Sequence, residues 1–339
     1  MVPDDGQGAA MPAGAGQRAF APLLSVEGLT TVFDTPSGPL RAVDGVDLAI
    51  GRGEVLAVVG ESGCGKTVLA LSILGLVSPP GRIVSGRAVF GGQDLLALPE
   101  GKRRTIRGSR ASMIFQEPMT SLNPVLSIGD QVAEPVRVHR RASRREALAA
   151  AGAMLDRVGL SGAGRRLRAY PHELSGGQRQ RVMIAMALIL SPELLIADEP
   201  TTALDVTVQR QILDLMLGLA RDTGTAIALV THNLGVVAET AENVAVMYSG
   251  RLVEYGAVAD FLREPAHPYG QGLLASLPRL SDRGRRLTPI PGTVPSLADL
   301  PTGCHFHPRC PRAFAPCARD IPPLFDLPDG RRVRCWLYG

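Results

Sequence analysis

Several things are scarce in this chain of 339 residues. Five cysteines are too few for a disulfide scaffold, and aromatic residues make up only 4% of the sequence. No apolar run approaches the roughly 20 residues of a membrane-spanning helix; the longest is near Val182–Leu190. The chain is therefore not expected to cross a bilayer by itself. A net charge of +4 is too small to point to nucleic acid, anionic lipid or any other partner. The 38 glycines and 27 prolines follow no triplet or heptad period, which excludes a collagen-like or coiled-coil rod. With 45% hydrophobic residues the chain cannot be wholly disordered, and its length allows one large domain or two modest ones. There is no internal repeat.

Residues 1–22 carry two aspartates and no apolar core, so they read as a disordered leader rather than a secretory signal. A cytosolic setting follows, in which clustered cysteines suggest a metal before they suggest disulfides. Leu23–Phe33 and Ala42–Ile50 read as strands of an antiparallel edge sheet, separated by the turn-like TPSGP. Val55–Val59, Leu194–Ala197 and Ala226–Val230 are continuous apolar runs, the pattern of strands buried on both faces of a parallel sheet. Polar residues follow the two later runs at once, DE and THN, and open α/β sheets bind ligands at such carboxyl ends. Between these runs a helical insertion is expected, beginning near Pro118 and extending to Tyr170 or, as a subdomain, to about 185. Ser143 and Glu146 form a capping box there, while Leu148, Ala151, Leu155 and Val158 share one helical face. Near Pro265 the texture turns to Pro, Gly and Arg, giving an expected boundary: a catalytic domain over 23–264 and a C-terminal region over 265–339.

Residues 60–67, GESGCGKT, match G-x-x-x-x-G-K-[ST] between a buried strand and an apolar helical stretch. Gly60, Glu61, Ser62, Gly63, Cys64 and Gly65 supply backbone N–H groups for an anion nest. Lys66 is placed to reach the β- and γ-phosphates of ATP, and the Thr67 hydroxyl to ligate Mg²⁺. Cys64 is assigned no chemistry beyond being small. Asp198, at the end of LLIAD, can hold the Mg²⁺ hydration shell. Glu199 points elsewhere and is expected to polarise the attacking water. His232 and Gln116 also follow apolar runs, which sets the imidazole near the γ-phosphate and the amide near metal and water.

At this point LSGGQRQR (174–181) resembles the signature of ATP-binding cassette (ABC) proteins. The loop, Gln116, LSGGQ, Asp198–Glu199, ALD (203–205) and His232 stand in that family's order over residues 23–263. The resemblance implies a P-loop NTPase core, a mostly parallel sheet flanked by helices. To this it adds an antiparallel β edge subdomain, a helical insertion subdomain and an irregular cysteine-containing C-terminal region. It also implies head-to-tail dimers, each ATP lying between one loop and the partner's Ser175, Gly176, Gly177 and Gln178, with Asp205 signalling across the seam. Phe33 matches the aromatic that stacks on adenine. FQEPMTSLNPVLSIGDQVAEP (115–135), AHPYGQGLLASLP (266–278) and the tail GCHFHPRCPRAFAPC are similar to the oligopeptide/dipeptide/nickel importer subfamily. That similarity implies an ATPase subunit, peripheral on the cytoplasmic face of the plasma or inner membrane. Its partners would be a second cassette (a paralogue), two permease subunits contacted after Gln116, and an extracytoplasmic peptide-binding protein. Asn233 departs from the Asp frequent in relatives. The competing reading is a soluble cassette ATPase on nucleic acid or ribosomes, prompted by the basic run Lys102, Arg103, Arg104, Arg107 and Arg110. A degenerate, regulatory cassette is a third, opposed by the intact Glu199 and His232.

Cys304, Cys310, Cys317 and Cys335 are separated by 5, 6 and 17 residues. Structural zinc usually shows tighter hairpin spacings, and wider loops suit a larger cluster. Some members of the importer subfamily are similar in holding a four-iron, four-sulfur (4Fe–4S) cluster in this tail. Zinc, with His305 or His307 as substitute ligands, and free thiols both stay open.

Overall fold

A computed structural model describes residues 21–116, 121–160, 162–202, 204–277 and 289–339. β1 (Leu24–Thr35) and β2 (Gly38–Ile50) pair antiparallel across a tight turn, as the two Val/Leu/Ile-rich runs require. β3 (Val55–Val59) precedes the helix Lys66–Ile73. β4 (Gly81–Phe90) and the two-residue β5 (Gln93–Asp94) complete a four-stranded antiparallel sheet in the order β2-β1-β4-β5.

β6 (Ala111–Ile114), β7 (Leu194–Asp198), β8 (Ala226–Thr231) and β9 (Asn243–Tyr248) join β3 in a second sheet. Its parallel part runs β9-β3-β8-β7-β6. β7 and β8 are buried along their whole length, and Asp198 lies opposite Val230. β10 (Arg251–Ala257), β11 (Phe325–Asp326) and β12 (Arg332–Val333) extend the sheet antiparallel beyond β9. The C-terminal segment thus adds an edge to the main sheet, although its sequence showed no strand periodicity.

Side chains alternate between the faces of β3, as the pleat demands. Leu56 and Val58 pack with the antiparallel sheet and the helix Lys66–Ile73. Ala57 and Val59 pack with Tyr248, Phe261, Tyr269 and Phe306, which brings the C-terminal segment under the same strand. The helical region holds Ile128–Arg140, Arg144–Arg157 and Gly176–Leu188. Ser143 and Glu146 form the expected capping box, and Ala151, Leu155 and Val158 are fully buried. Pro118, the expected start of the insertion, Ala203, and residues 1–20 lie outside the described residues. Among those described, no helix is long and apolar enough to cross a membrane.

Candidate active site

Because β3, β6, β7 and β8 are parallel, their carboxyl ends open on one edge. The loop Gly60–Gly65 leaves β3 there and enters the helix Lys66–Ile73. Gly60 and Gly65 have φ of 155° and 103°, values L side chains rarely adopt. A Cβ at either would stand 2.3 Å from a carbonyl oxygen, that of Met247 or Ala42. The glycines therefore serve close packing as well as the turn. Ser62 and Gly63 form the exposed tip. Lys66 is buried, and its Nζ donates to the Gly60 carbonyl at 2.8 Å and the Glu61 carbonyl at 3.0 Å. Cys64 is fully buried; its N–H donates to the Glu61 carbonyl, and burial pushes its thiol pKa up. It fills space beneath the loop.

Asp198 is 1% exposed. Burial raises its pKa, opposed by a hydrogen bond with Thr67, and its Oδ1 has no partner. An orphaned buried carboxylate oxygen beside a threonine hydroxyl is a hard-oxygen donor set that fits Mg²⁺. Glu199 adopts φ of 45°, and its N–H donates to the Val230 carbonyl at 2.9 Å. Three side chains surround its carboxylate. Thr202 Oγ1 donates to Oε2 at 2.8 Å, Gln116 Nε2 to the same oxygen at 3.4 Å, and His232 Nδ1 meets Oε1 at 3.2 Å. Burial pushes the Glu199 carboxyl up, but the bonds from Thr202 and His232 outweigh it and hold the pKa below the ordinary value. A carboxylate so held stays ionised at neutral pH. Thr202 carries no motif of its own and was missed in the sequence.

Asn233 accepts from the N–H groups of Gly235 and Val236 and caps the helix Leu234–Thr240, a task Asn performs as well as Asp. Phe33 is half-buried, its ring facing Gly81. Ser175 caps the helix Gly176–Leu188 in a capping box with Gln178. Ser175 and Gly176 are exposed, and among the described residues no hydrogen bond joins Ser175–Gln178 to the phosphate loop of the same chain. Asp205 caps the helix Val206–Thr223 through a 2.9 Å bond from the Val208 N–H.

Comparison with known proteins decides the class. A family profile described as "ABC transporter" matches residues 43–202, and one described as "Oligopeptide/dipeptide transporter, C-terminal region" matches 253–317. The oligopeptide transport ATP-binding protein AppD of Bacillus subtilis is 50% identical over 317 residues, 93% of this chain and 97% of that protein. OppD of Salmonella typhimurium, also named an oligopeptide transport ATP-binding protein, is 49% identical, covering 93% of each. A dimeric post-hydrolysis structure of the ATP-binding cassette MJ0796 bound to ADP and Pi superposes with a TM-score of 0.63 at 26% identity, over 69% of this chain and 98% of that one. The chain belongs to the ATP-binding subunits of ABC transporters, in the oligopeptide/dipeptide class.

This ABC subunit is an ATPase with the P-loop fold of its class. Part of its basic run is paired: Arg107 meets Glu100 at 2.8 Å, while Arg110 pairs with Glu193 and lies over the Phe90 ring. Beside Gln116 an apolar cavity of about 280 Å³ opens between β6 and the helical region, lined by Met113, Phe115, Pro135, Met183 and Met186. Phe115, Val125 and Leu126 are exposed nearby in sequence.

The four C-terminal cysteines line one narrow cavity of about 10 Å³ together with His267 and His307. The Cys304 N–H bonds the Cys317 carbonyl at 2.8 Å. Burial raises the Cys304 and Cys310 thiols and takes Cys335 to about 11, with the other thiols adding repulsion. Among the described residues, no group of three or more His, Cys, Asp or Glu is arranged to hold a metal ion. His267 is fully buried. Its Nδ1 accepts from the Tyr269 N–H at 3.0 Å, so the ring proton belongs on Nε2, which has no partner. Four thiols and an orphaned buried N–H thus border one cavity. His305 instead bonds the Ser249 carbonyl at 3.1 Å.

Proposed function

We propose that this chain is the ATP-hydrolysing subunit that energises import of di- or oligopeptides through a separate membrane permease. The observation that carries this reading is the Glu199 carboxylate, ionised and oriented by Thr202, His232 and Gln116 beside the Asp198–Thr67 pair. The match of residues 253–317 to the oligopeptide/dipeptide transporter region, and relatives named for oligopeptide and dipeptide transport, support the choice of cargo.

In this reading Lys66 leaves the loop carbonyls to meet the β- and γ-phosphates, and the loop N–H groups cradle them. Thr67, Gln116 and Asp198 would hold Mg²⁺, which would supply positive charge to offset that developing on the transferring phosphoryl group. Glu199 accepts a proton from the attacking water, His232 steadies the γ-phosphate, and Phe33 stacks on adenine. Ser175, Gly176, Gly177 and Gln178 of a second cassette cap the γ-phosphate from the far side with the N–H groups of a helix start. Asp205 lies at that seam. ATP binds the closed pair better than the open one, so hydrolysis drives opening.

The second cassette is a paralogue. Two permease subunits insert short helices against the methionine-lined cavity beside Gln116, whose flexible side chains suit an adaptable contact. The subunit sits on the cytoplasmic face of the membrane, and an extracytoplasmic binding protein presents the peptide to the permease; no nucleic acid takes part. The domains are a leader over 1–22, the cassette over 23–264 and the C-terminal region over 265–339.

Cys304, Cys310, Cys317 and Cys335 are proposed to hold a 4Fe–4S cluster rather than zinc. Such a cluster would supply a four-point tie for a tail with little core of its own. Seating it requires the four thiols to part, since the cavity now has room for about one water. The raised pKa values of Cys304, Cys310 and Cys335 favour neutral sulfur at those three unless a positive centre compensates their thiolates. His267 Nε2–H would donate to a sulfur there.

The test is reconstitution with the permease pair and binding protein in lipid vesicles. Peptide uptake and peptide-stimulated ATP turnover, both lost in Glu199→Gln, are expected. ATP turnover that no di- or oligopeptide alters, with no uptake, would refute the assignment of cargo.

A further inference from the structure

Among the described residues, hydrogen bonds from the C-terminal region hold the phosphate loop at Glu61. Arg309 reaches it with a bidentate pair, Nη1 to Oε2 at 2.7 Å and Nη2 to Oε1 at 3.1 Å. The Arg309 side chain is 5% exposed and that of Glu61 30%. The remaining guanidinium N–H groups are also engaged: Nε donates to the Pro291 carbonyl, Nη1 to Tyr248 Oη and Nη2 to the Ile290 carbonyl. All five donors of the fork are thus satisfied, which fixes its orientation. Glu61 is gripped a second time, because its backbone N–H donates to Tyr269 Oη at 2.8 Å.

Both grips originate at the cysteine cavity. Arg309 directly precedes Cys310, in the turn His307–Arg309 whose first N–H and imidazole bond the Cys304 carbonyl. Tyr269 follows His267, which borders the same cavity. The other end of Glu61 matters to nucleotide, since its carbonyl accepts from Lys66 Nζ.

The electrostatics give the sign. A carboxylate one residue into an anion nest repels a triphosphate. A buried, bidentate guanidinium neutralises it and holds it against the C-terminal region.

We propose that Arg309 is a positioning residue for the phosphate-binding loop. It acts through Glu61, so that nucleotide affinity depends on the order of the cysteine lobe. The proposal rests on the nucleotide site as read above. Arg309→Ala leaves Glu61 unpaired beside the phosphates and weakens nucleotide binding. Arg309→Lys, which keeps the charge and loses the fork, falls between. Once Glu61 is removed, Arg309 has nothing to act on.

The experiment is a double-mutant cycle on the full chain: Arg309→Ala, Glu61→Ala and the pair, titrated calorimetrically with adenylyl imidodiphosphate. Arg309→Ala is expected to raise Kd by about fivefold or more. In the Glu61→Ala background the same change should move Kd less than about twofold. Strictly additive effects, or an unchanged Kd in Arg309→Ala, would overturn the proposal and leave the nucleotide site standing. Absence of binding by the unaltered chain would overturn the reading of the site itself. Thermal melting of each variant separates loss of fold from loss of coupling, because a purely structural role gives the same factor in both backgrounds.

Discussion

Replacement of Glu199 by Gln separates nucleotide binding from hydrolysis. The side chain accepts three hydrogen bonds, two on Oε2 and one on Oε1. A glutamine keeps the shape and one acceptor oxygen. With its oxygen toward Thr202 and Gln116, its new N–H₂ faces His232 Nδ1, which accepts in the tautomer protonated at Nε2. Little packing or bonding is lost, so stability should fall by less than about 1 kcal/mol. The change removes a proton acceptor from the place where Asp198 and Thr67 would set the metal. A positioned general base contributes about 10²–10⁴ in rate, or roughly 3–5 kcal/mol of barrier. Single-turnover hydrolysis of labelled ATP should slow by that factor while its Kd changes little. If the two-cassette arrangement holds, the uncleaved ATP also traps a dimer that sizing chromatography resolves in ATP and not in ADP. Hydrolysis within about twofold of the unaltered chain would remove Glu199 from its role. Slow hydrolysis with no ATP-dependent dimer would instead put the partner's Ser175–Gln178 in question.

Lys66→Ala deletes a buried, charge-assisted donor, and ATP affinity measured by calorimetry should fall by about tenfold or more. Gly176→Arg adds an exposed side chain whose Cβ, among the described residues, meets only Leu204, at 3.5 Å. It should leave nucleotide affinity of the single chain unchanged while abolishing the ATP-dependent dimer, and loss of both would argue against a role in trans. Cys335→Ser should remove the broad absorption near 400 nm and the iron of an anaerobic preparation, whereas stoichiometric zinc in the unaltered chain would displace the cluster. Buried His267 has its pKa pushed down to about 3 from an unfolded value of 6.5. A depressed folded-state value means its contribution is complete above 6.5 and is lost as pH falls toward 3, about 2 kcal/mol by pH 5. Urea unfolding at pH 7 and pH 5 should differ by that much more in the unaltered chain than in His267→Asn, where the helix cap is kept and the titrating ring is gone.

What the sequence made legible was what short segments decide among themselves. Val55–Val59 with GESGCGKT defines strand, loop and helix through glycine geometry and apolar continuity within residues 55–67, and the structure keeps all three. The same holds for Ser143 with Glu146, and for Leu194–Ala197 and Ala226–Val230, each one residue longer than its apolar run. β5, β11 and β12 have two residues each, too few to show a period, and form because partner strands offer free edges. Thr202 and the paired arginines 107 and 110 were illegible for a related reason. Their roles depend on which carboxylate the fold sets opposite them, and Arg110 meets Glu193 from 83 residues away.

The grip on Glu61 is the extreme case. Nothing within GESGCGKT calls for an arginine, and a lone Arg or Tyr in a proline-rich tail reads as solvated surface. Yet Tyr269 and Arg309 reach this residue from 208 and 248 positions away, and the arginine arrives with every N–H engaged. Ordering such a side chain costs up to about 2 kcal/mol of rotamer entropy, and burying its charge costs more unless the partner is fixed as well. A tail needed only to cover the core could have met β3 with leucines. An ionic contact at the second residue of the phosphate loop, with Cys310 next in the chain, instead makes the loop's shape depend on the cysteine lobe. Measured coupling between Arg309 and Glu61 would separate these two accounts.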